Sequence, residues 1–238
     1  MIYRAGLVCL FIIVVCSSCA SKQRTKFYGW DNCYRLCNGK VEAIINPQIG
    51  RMISFRTTTG QNVLAVNRKM LGCVPPAGSP DFVFFGGLYT WISPQSHWVP
   101  FDGTNTYVGA DPALDRGPFR VTYCSDTELT MLSPASWGYG LQIEKTFRLV
   151  KDQPRMEFIV TLHNIGFQPV RWGIWNLSAV PPTGVVFFDV PHGKRDIKYP
   201  GDSDDQTKWM SSVVRLVNKK VAAVDLRRYK FKGAKLWV

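Results

Sequence analysis

The sequence predicts an all-β fold, a large antiparallel β-sandwich, and three observations carry that expectation. Short apolar–polar alternations recur between turns that hold Gly, Pro or Asn. The chain has 20 glycines, 15 prolines and 13% aromatic residues, the material of strands and turns. No convincing helical period occurs before Ser211. With 46% hydrophobic and 19% charged residues over 238 positions, the chain carries enough apolar surface for a sizeable core.

Taken in order, Met1 to Cys19 reads as an export signal. Arg4 supplies the positive start, Ala5 to Cys16 is apolar apart from Gly6, and Ser17-Ser18 offers small residues before a cleavage point. About twelve apolar residues are too few for a mature membrane-spanning helix. Cys19 after two serines resembles a bacterial lipobox, although Cys16 stands where that pattern has an aliphatic residue. The resemblance implies lipidation of Cys19 and tethering to a membrane of the bacterial cell envelope. Ala20 in place of aspartate would then place it on the periplasmic side of the outer membrane. A plain secretory signal is the alternative. Residues 20–33 read as a tether and 34–238 as the folded domain.

Four cysteines lie beyond Cys19: Cys33, Cys37, Cys73 and Cys124. They permit three disulfide pairings or remain buried thiols. Their spacing does not match a zinc site, so neither metal nor cofactor is expected.

The body reads as a meander. Val41–Asn46 and Arg51–Arg56 form strands around a Pro47–Gly50 turn, and Asn62–Val66 is expected as a third. A long excursion follows, with seven prolines and seven glycines between Asn67 and Pro118. Strands resume at Phe119–Cys124, Glu128–Ser133, Leu141–Leu149, Arg155–His163, Val170–Ser178 and Gly184–Val190. Leu141, Ile143 and Phe147 share one face of their strand, with Gln142, Glu144, Thr146 and Arg148 opposite. Met156, Phe158, Val160 and Leu162 face inward on the next, so the pair should form a half-solvated sheet. Val213–Leu226 is ambiguous between helix and strand, and no domain boundary is evident.

The net charge of +12 is uneven, because +8 of it falls from Lys208 onward. A solvated strand face explains such a run more simply than an anionic partner does. No nucleic-acid-binding module accompanies it, and export argues against nucleic acid as a partner. There is no phosphate loop and no nucleophile elbow.

Within the excursion, Gly86–Trp98 gathers Tyr89, Trp91, Trp98, Thr90, Ser93, Gln95, Ser96 and His97 without a charge. Apolar ring faces beside neutral hydrogen-bonding groups suit a neutral sugar or glycan. The candidate substrate-binding set is Trp91, Gln95, His97, Trp98, Trp172, Trp175 and Asn176. A regular strand would direct Trp172 and Trp175 to opposite faces. His97 is the candidate general acid, ahead of His163 and His192. The candidate bases are Asp102, Asp111, Asp115, Glu144 and Glu157. Glu144 and Glu157 lie beside Arg148 and Arg155, where a cross-strand ion lattice is the simpler reading.

Asn38-Gly39-Lys40-Val41-Glu42 leads to Asn46-Pro47-Gln48-Ile49-Gly50-Arg51. Gly86-Gly87, Trp91, Pro94-Gln95, Trp98 and Arg171-Trp172-Gly173-Ile174-Trp175-Asn176-Leu177 follow in order. This series resembles the galactose mutarotase-like superfamily, and most closely its bacterial branch with the DUF4380 type of domain. The resemblance runs over about residues 34–190. It implies a β-supersandwich whose broad sheet binds carbohydrate, with or without chemistry. A mutarotase of this superfamily uses a histidine acid and a glutamate base from a late strand. Here no glutamate follows Glu157, and Trp172–Leu177 carries no histidine. The chain either ends before those late strands or closes its sheet differently. An envelope-anchored carbohydrate-binding protein is therefore expected. An aldose 1-epimerase-like enzyme with His97 as acid, and a non-catalytic structural lipoprotein, are the alternatives.

Overall fold

The computed structural model describes residues 23–79, 83–98, 110–181, 185–189, 214–217 and 221–225. The signal and Cys19 lie outside these residues. The chain divides into two units, one ending at Ala179 and one starting at Val180, where the sequence showed no boundary.

Within the first unit, six antiparallel strands form one sheet. They are β1 (Arg24–Phe27), β2 (Trp30–Cys37), β3 (Val41–Asn46), β4 (Arg51–Thr57), β5 (Leu88–Ser93) and β10 (Gly173–Ser178), in that spatial order. A second sheet is the consecutive meander β6 (Arg120–Cys124), β7 (Glu128–Leu132), β8 (Leu141–Leu149) and β9 (Met156–Asn164). The sheets face one another through a shared core. Leu36, Ala43, Ile45, Met52 and Leu88 of the first meet Leu129, Met131, Phe147 and Leu149 of the second. Each of the Leu, Ile, Met and Phe side chains so buried contributes about 1.5–3 kcal/mol. The expected all-β sandwich is what forms.

The other face of the first sheet is covered as well. Trp30, Cys33, Ile44 and Ile53 pack with Phe85 of the excursion, and the Trp30 indole N–H donates to the Cys73 carbonyl at 2.8 Å. Strand β3 is consequently buried at all six positions. The second sheet differs, because β8 alternates buried and half-exposed residues along its length.

Three expectations need correction. Residues 20–33, read as a tether, already hold β1 and the start of β2. The Gln23 side chain donates to Asp126 and its carbonyl accepts from Arg35 N–H, both at 2.9 Å. Asn62–Val66 forms no strand, only a bridge between Val66 and Gly86. The Asn62 side chain accepts from Phe55 and Leu64 N–H, both at 3.0 Å, and donates to the Ile53 carbonyl at 2.9 Å. It thereby occupies the edge of β4 that a neighbouring strand would need. Conversely, Leu88–Ser93 inside the excursion is a central strand. Leu88 to Ile92 are all buried, so β5 has no polar face to give an alternating pattern. A single helical turn at Pro112–Asp115 was also not foreseen; Asp111 caps it by accepting from Leu114 N–H.

The second unit contains an antiparallel three-stranded sheet. Strands β11 (Val185–Asp189), β12 (Val214–Val217) and β13 (Val221–Asp225) pair in the order β11-β13-β12. Within the ambiguous Val213–Leu226 segment, Val214–Val217 and Val221–Asp225 are therefore paired antiparallel strands.

Candidate functional site

Two arrangements stand out in the first unit, and β5 contributes to both. The first begins at the turn between β3 and β4. The Asn46 side chain accepts from Gln48 N–H, and Gly50 closes the turn at φ 63°. A β-carbon at Gly50 would lie 2.5 Å from the Phe119 ring and 2.8 Å from the Asp115 carbonyl oxygen, so only glycine fits. This close approach brings the helical turn against the start of β4.

There Arg51 meets Asp115 twice. Its Nη1 donates to the Asp115 carbonyl at 2.6 Å and its Nη2 to Oδ1 at 2.7 Å. The same Oδ1 accepts from the Trp91 indole N–H at 2.7 Å. The Arg51 guanidinium also sits 4.3 Å from the centre of the Tyr89 ring. From the opposite sheet, Lys145 Nζ donates to the Gly50 carbonyl at 3.1 Å and lies 4.5 Å from the centre of the Phe119 ring. Arg51, Asp115, Trp91 and Lys145 are all at most 3% exposed.

Burial, reinforced by the Arg51 charge, lowers the Lys145 ammonium from 10.5 to about 7, with Asp115 opposing. Burial likewise pushes the Tyr89 phenol up to about 12. This cluster is closed to solvent. It ties the two sheets and the helical turn together, and it offers no surface to a ligand.

The second arrangement is open. Strand β5 ends at Ser93, and Gln95–His97 form a 3-10 turn that leaves His97 exposed and Gln95 half-buried. Trp98 folds back, donating its indole N–H to the Ile92 carbonyl at 3.0 Å and meeting Trp91 edge-on at 5.4 Å. Strand β10 lies alongside, with Trp175 opposite Trp91 and Asn176 opposite Thr90. Thr90 Oγ1 donates to Asn176 Oδ1 at 2.7 Å. Trp172, half-buried just before β10, has His97 at 6.1 Å on one side and Tyr139 at 5.3 Å on another, both edge-on.

The structure therefore sorts the seven candidate binding residues. His97, Gln95, Trp98 and Trp172 come together at the end of β5. Trp175 packs against Trp91, in a different cluster from Trp172, while Asn176 is exposed. Trp91 is 1% exposed, so its ring faces are taken up by neighbouring side chains rather than offered to a ligand.

The candidate bases have other partners. Asp115 belongs to the buried cluster, and Asp111 accepts from Leu114 N–H and from the Ser136 hydroxyl. Glu157 pairs with Arg148 and Arg155 as expected, and Arg148 pairs also with Glu128, which was not foreseen. Glu144 lies 3.8 Å from His163. Asp102 and His192 fall outside the described residues. Among the described residues no carboxylate hydrogen-bonds His97, no group of His, Cys, Asp and Glu is arranged to hold a metal, and all four cysteines are free thiols.

Sequence reasoning missed Lys145, Arg51 and Tyr139. Lys145 had a readable signal, since it shares the parity of Ile143 and Phe147 on the apolar face of β8. Arg51 and Tyr139 had none, because their partners are distant in the chain.

No curated protein and no solved structure matches this chain. The family of proteins with a DUF4380 domain (domain of unknown function) matches residues 33–230, and the chain belongs to it.

Proposed function

We propose that this protein binds a neutral carbohydrate at the open patch formed by Gln95, His97, Trp98, Trp172 and Tyr139. The observation that carries the reading is the half-buried Trp172, flanked edge-on by exposed His97 and by Tyr139. Such rings stack on the CH faces of a sugar, while the exposed His97 imidazole serves its hydroxyls. The mutarotase-like reading of the sandwich agrees, since the Trp172–Leu177 segment and Gly86–Trp98 lie side by side in one sheet. In the same proposal the protein is held to the bacterial envelope by a lipid on Cys19.

Binding is favoured over epimerisation. Acid–base work at an anomeric centre needs two groups on opposite sides of the ring. His97 has no carboxylate partner among the described residues. A glycan array followed by titration tests the reading. Trp172→Ala should weaken binding at least about tenfold, while His97→Ala should change it by less than about threefold. Absence of any neutral-glycan binding sinks the proposal. Anomer exchange that slows sharply on His97→Ala would replace binding with catalysis.

A further inference from the structure

A separate open cavity of about 370 Å³ lies where β1, β2, the Pro47–Gly50 turn and the start of β6 meet. That volume falls in the ~300–1,000 Å³ range of small-molecule sites. Four polar side chains line it: Arg24, Asn32, Tyr34 and Gln48. Among the described residues, none of the four forms a side-chain hydrogen bond or ion pair with the protein. Tyr34 is only 6% exposed, yet its hydroxyl is not among the sealed, unsatisfied atoms, so it opens to the cavity. The Arg24 guanidinium lies 5.8 Å from the centre of the Tyr34 ring. Phe119 supplies an apolar wall, with the Lys145 amine behind it at 4.5 Å. Among the described residues that line the cavity, Arg24 carries the one formal charge and none is a carboxylate, which suits an anionic group.

We propose that this cavity binds a sugar acid, a hexose-sized polyol bearing one carboxylate. Arg24 takes the carboxylate through its paired N–H groups, the geometry in which guanidinium binds best. Asn32, Gln48 and the Tyr34 hydroxyl serve the ligand's hydroxyls. The cavity shares no residue with the Trp172 patch, so this inference does not depend on the neutral-sugar reading.

Titration of the full chain with D-glucuronate, D-glucose and acetate, followed by NMR, tests it. Read at the signals of Arg24, Asn32 and Tyr34, glucuronate should bind at least about tenfold more tightly than either control, and added salt should weaken it. Arg24→Gln should reduce glucuronate affinity at least about tenfold. Tyr34→Phe, which keeps the buried ring, should reduce it a few-fold. At those signals, glucuronate binding no tighter than glucose or acetate overturns the proposal. So does binding that survives Arg24→Gln.

Discussion

Two arginine–carboxylate arrangements in this molecule use the same chemistry in opposite surroundings. Arg51 and Asp115 are 2% and 3% exposed in their side chains, while Arg148, Glu128, Glu157 and Arg155 run from 23% to 59%. On the outer face of the second sheet, water replaces any partner that is lost, so the lattice adds little. Inside, burial keeps solvent out, and among the described residues Asp115 is the only carboxylate given to Arg51. The difference teaches that an ion pair's worth lies in what replaces a missing partner, more than in its bond length.

The largest test of that contrast is Asp115→Ala. It strands the Arg51 charge and also the Trp91 N–H, and should cost about 3–5 kcal/mol in urea unfolding. A loss below about 1 kcal/mol would show that the cluster admits water.

Next in size is the pH dependence set by Lys145. Below pH 7 both the folded and the unfolded chain hold its proton. Between pH 7 and its ordinary value of 10.5, only the unfolded chain keeps it. Stability should therefore rise with pH from 7, by up to about 1.4 kcal/mol per unit. The rise ends near pH 9, where the unfolded Cys33 thiol starts to ionise while burial holds the folded one up to about 12. Lys145→Met should flatten the 7–9 window and stabilise the protein at pH 7. Urea midpoints across that range decide it, and a slope unchanged by the substitution assigns the effect elsewhere.

The smallest expected effect is on the lattice. Glu157→Gln should move the thermal midpoint by no more than about 2 °C. A larger shift would mean that the exposed pairs act as a cooperative network, which narrows the contrast between the two regions.

The same contrast separates what could be read in the chain from what could not. The lattice was legible in part: period two places Arg148, Arg155 and Glu157 on one polar face of adjacent strands, whereas Glu144 faces His163 and Glu128 joins from β7. Strands β8 and β9 were legible for the same reason, while β3 and β4, largely buried on both faces, were marked by the Pro47–Gly50 turn between them. The buried cluster was not, because Arg51 and Asp115 are 64 residues apart and meet only when the helical turn docks. Strand β5 was hidden by its own burial, since a strand covered on both faces loses its alternation. Of the candidate site, the gathering of His97 and Trp172 was anticipated as membership of one patch. That Trp91 turns inward to Asp115 depends on which face of β5 the sheet closes over, and the sequence of β5 does not mark that.

The placement of β10 beside β5 has a kinetic meaning. The whole second sheet lies between these two strands in the chain, so their pairing joins residues from about 80 to 90 positions apart. The β6–β9 meander needs only neighbouring hairpins, each a short loop closure, and can be complete while the first sheet still lacks its last strand. Trp172 and Trp175 arrive with that strand. The patch proposed for sugar binding is thus completed only when β10 docks, and a nascent chain that stalls before Gly173 would carry a bare β5 edge with Trp91 uncovered on its Trp175 side.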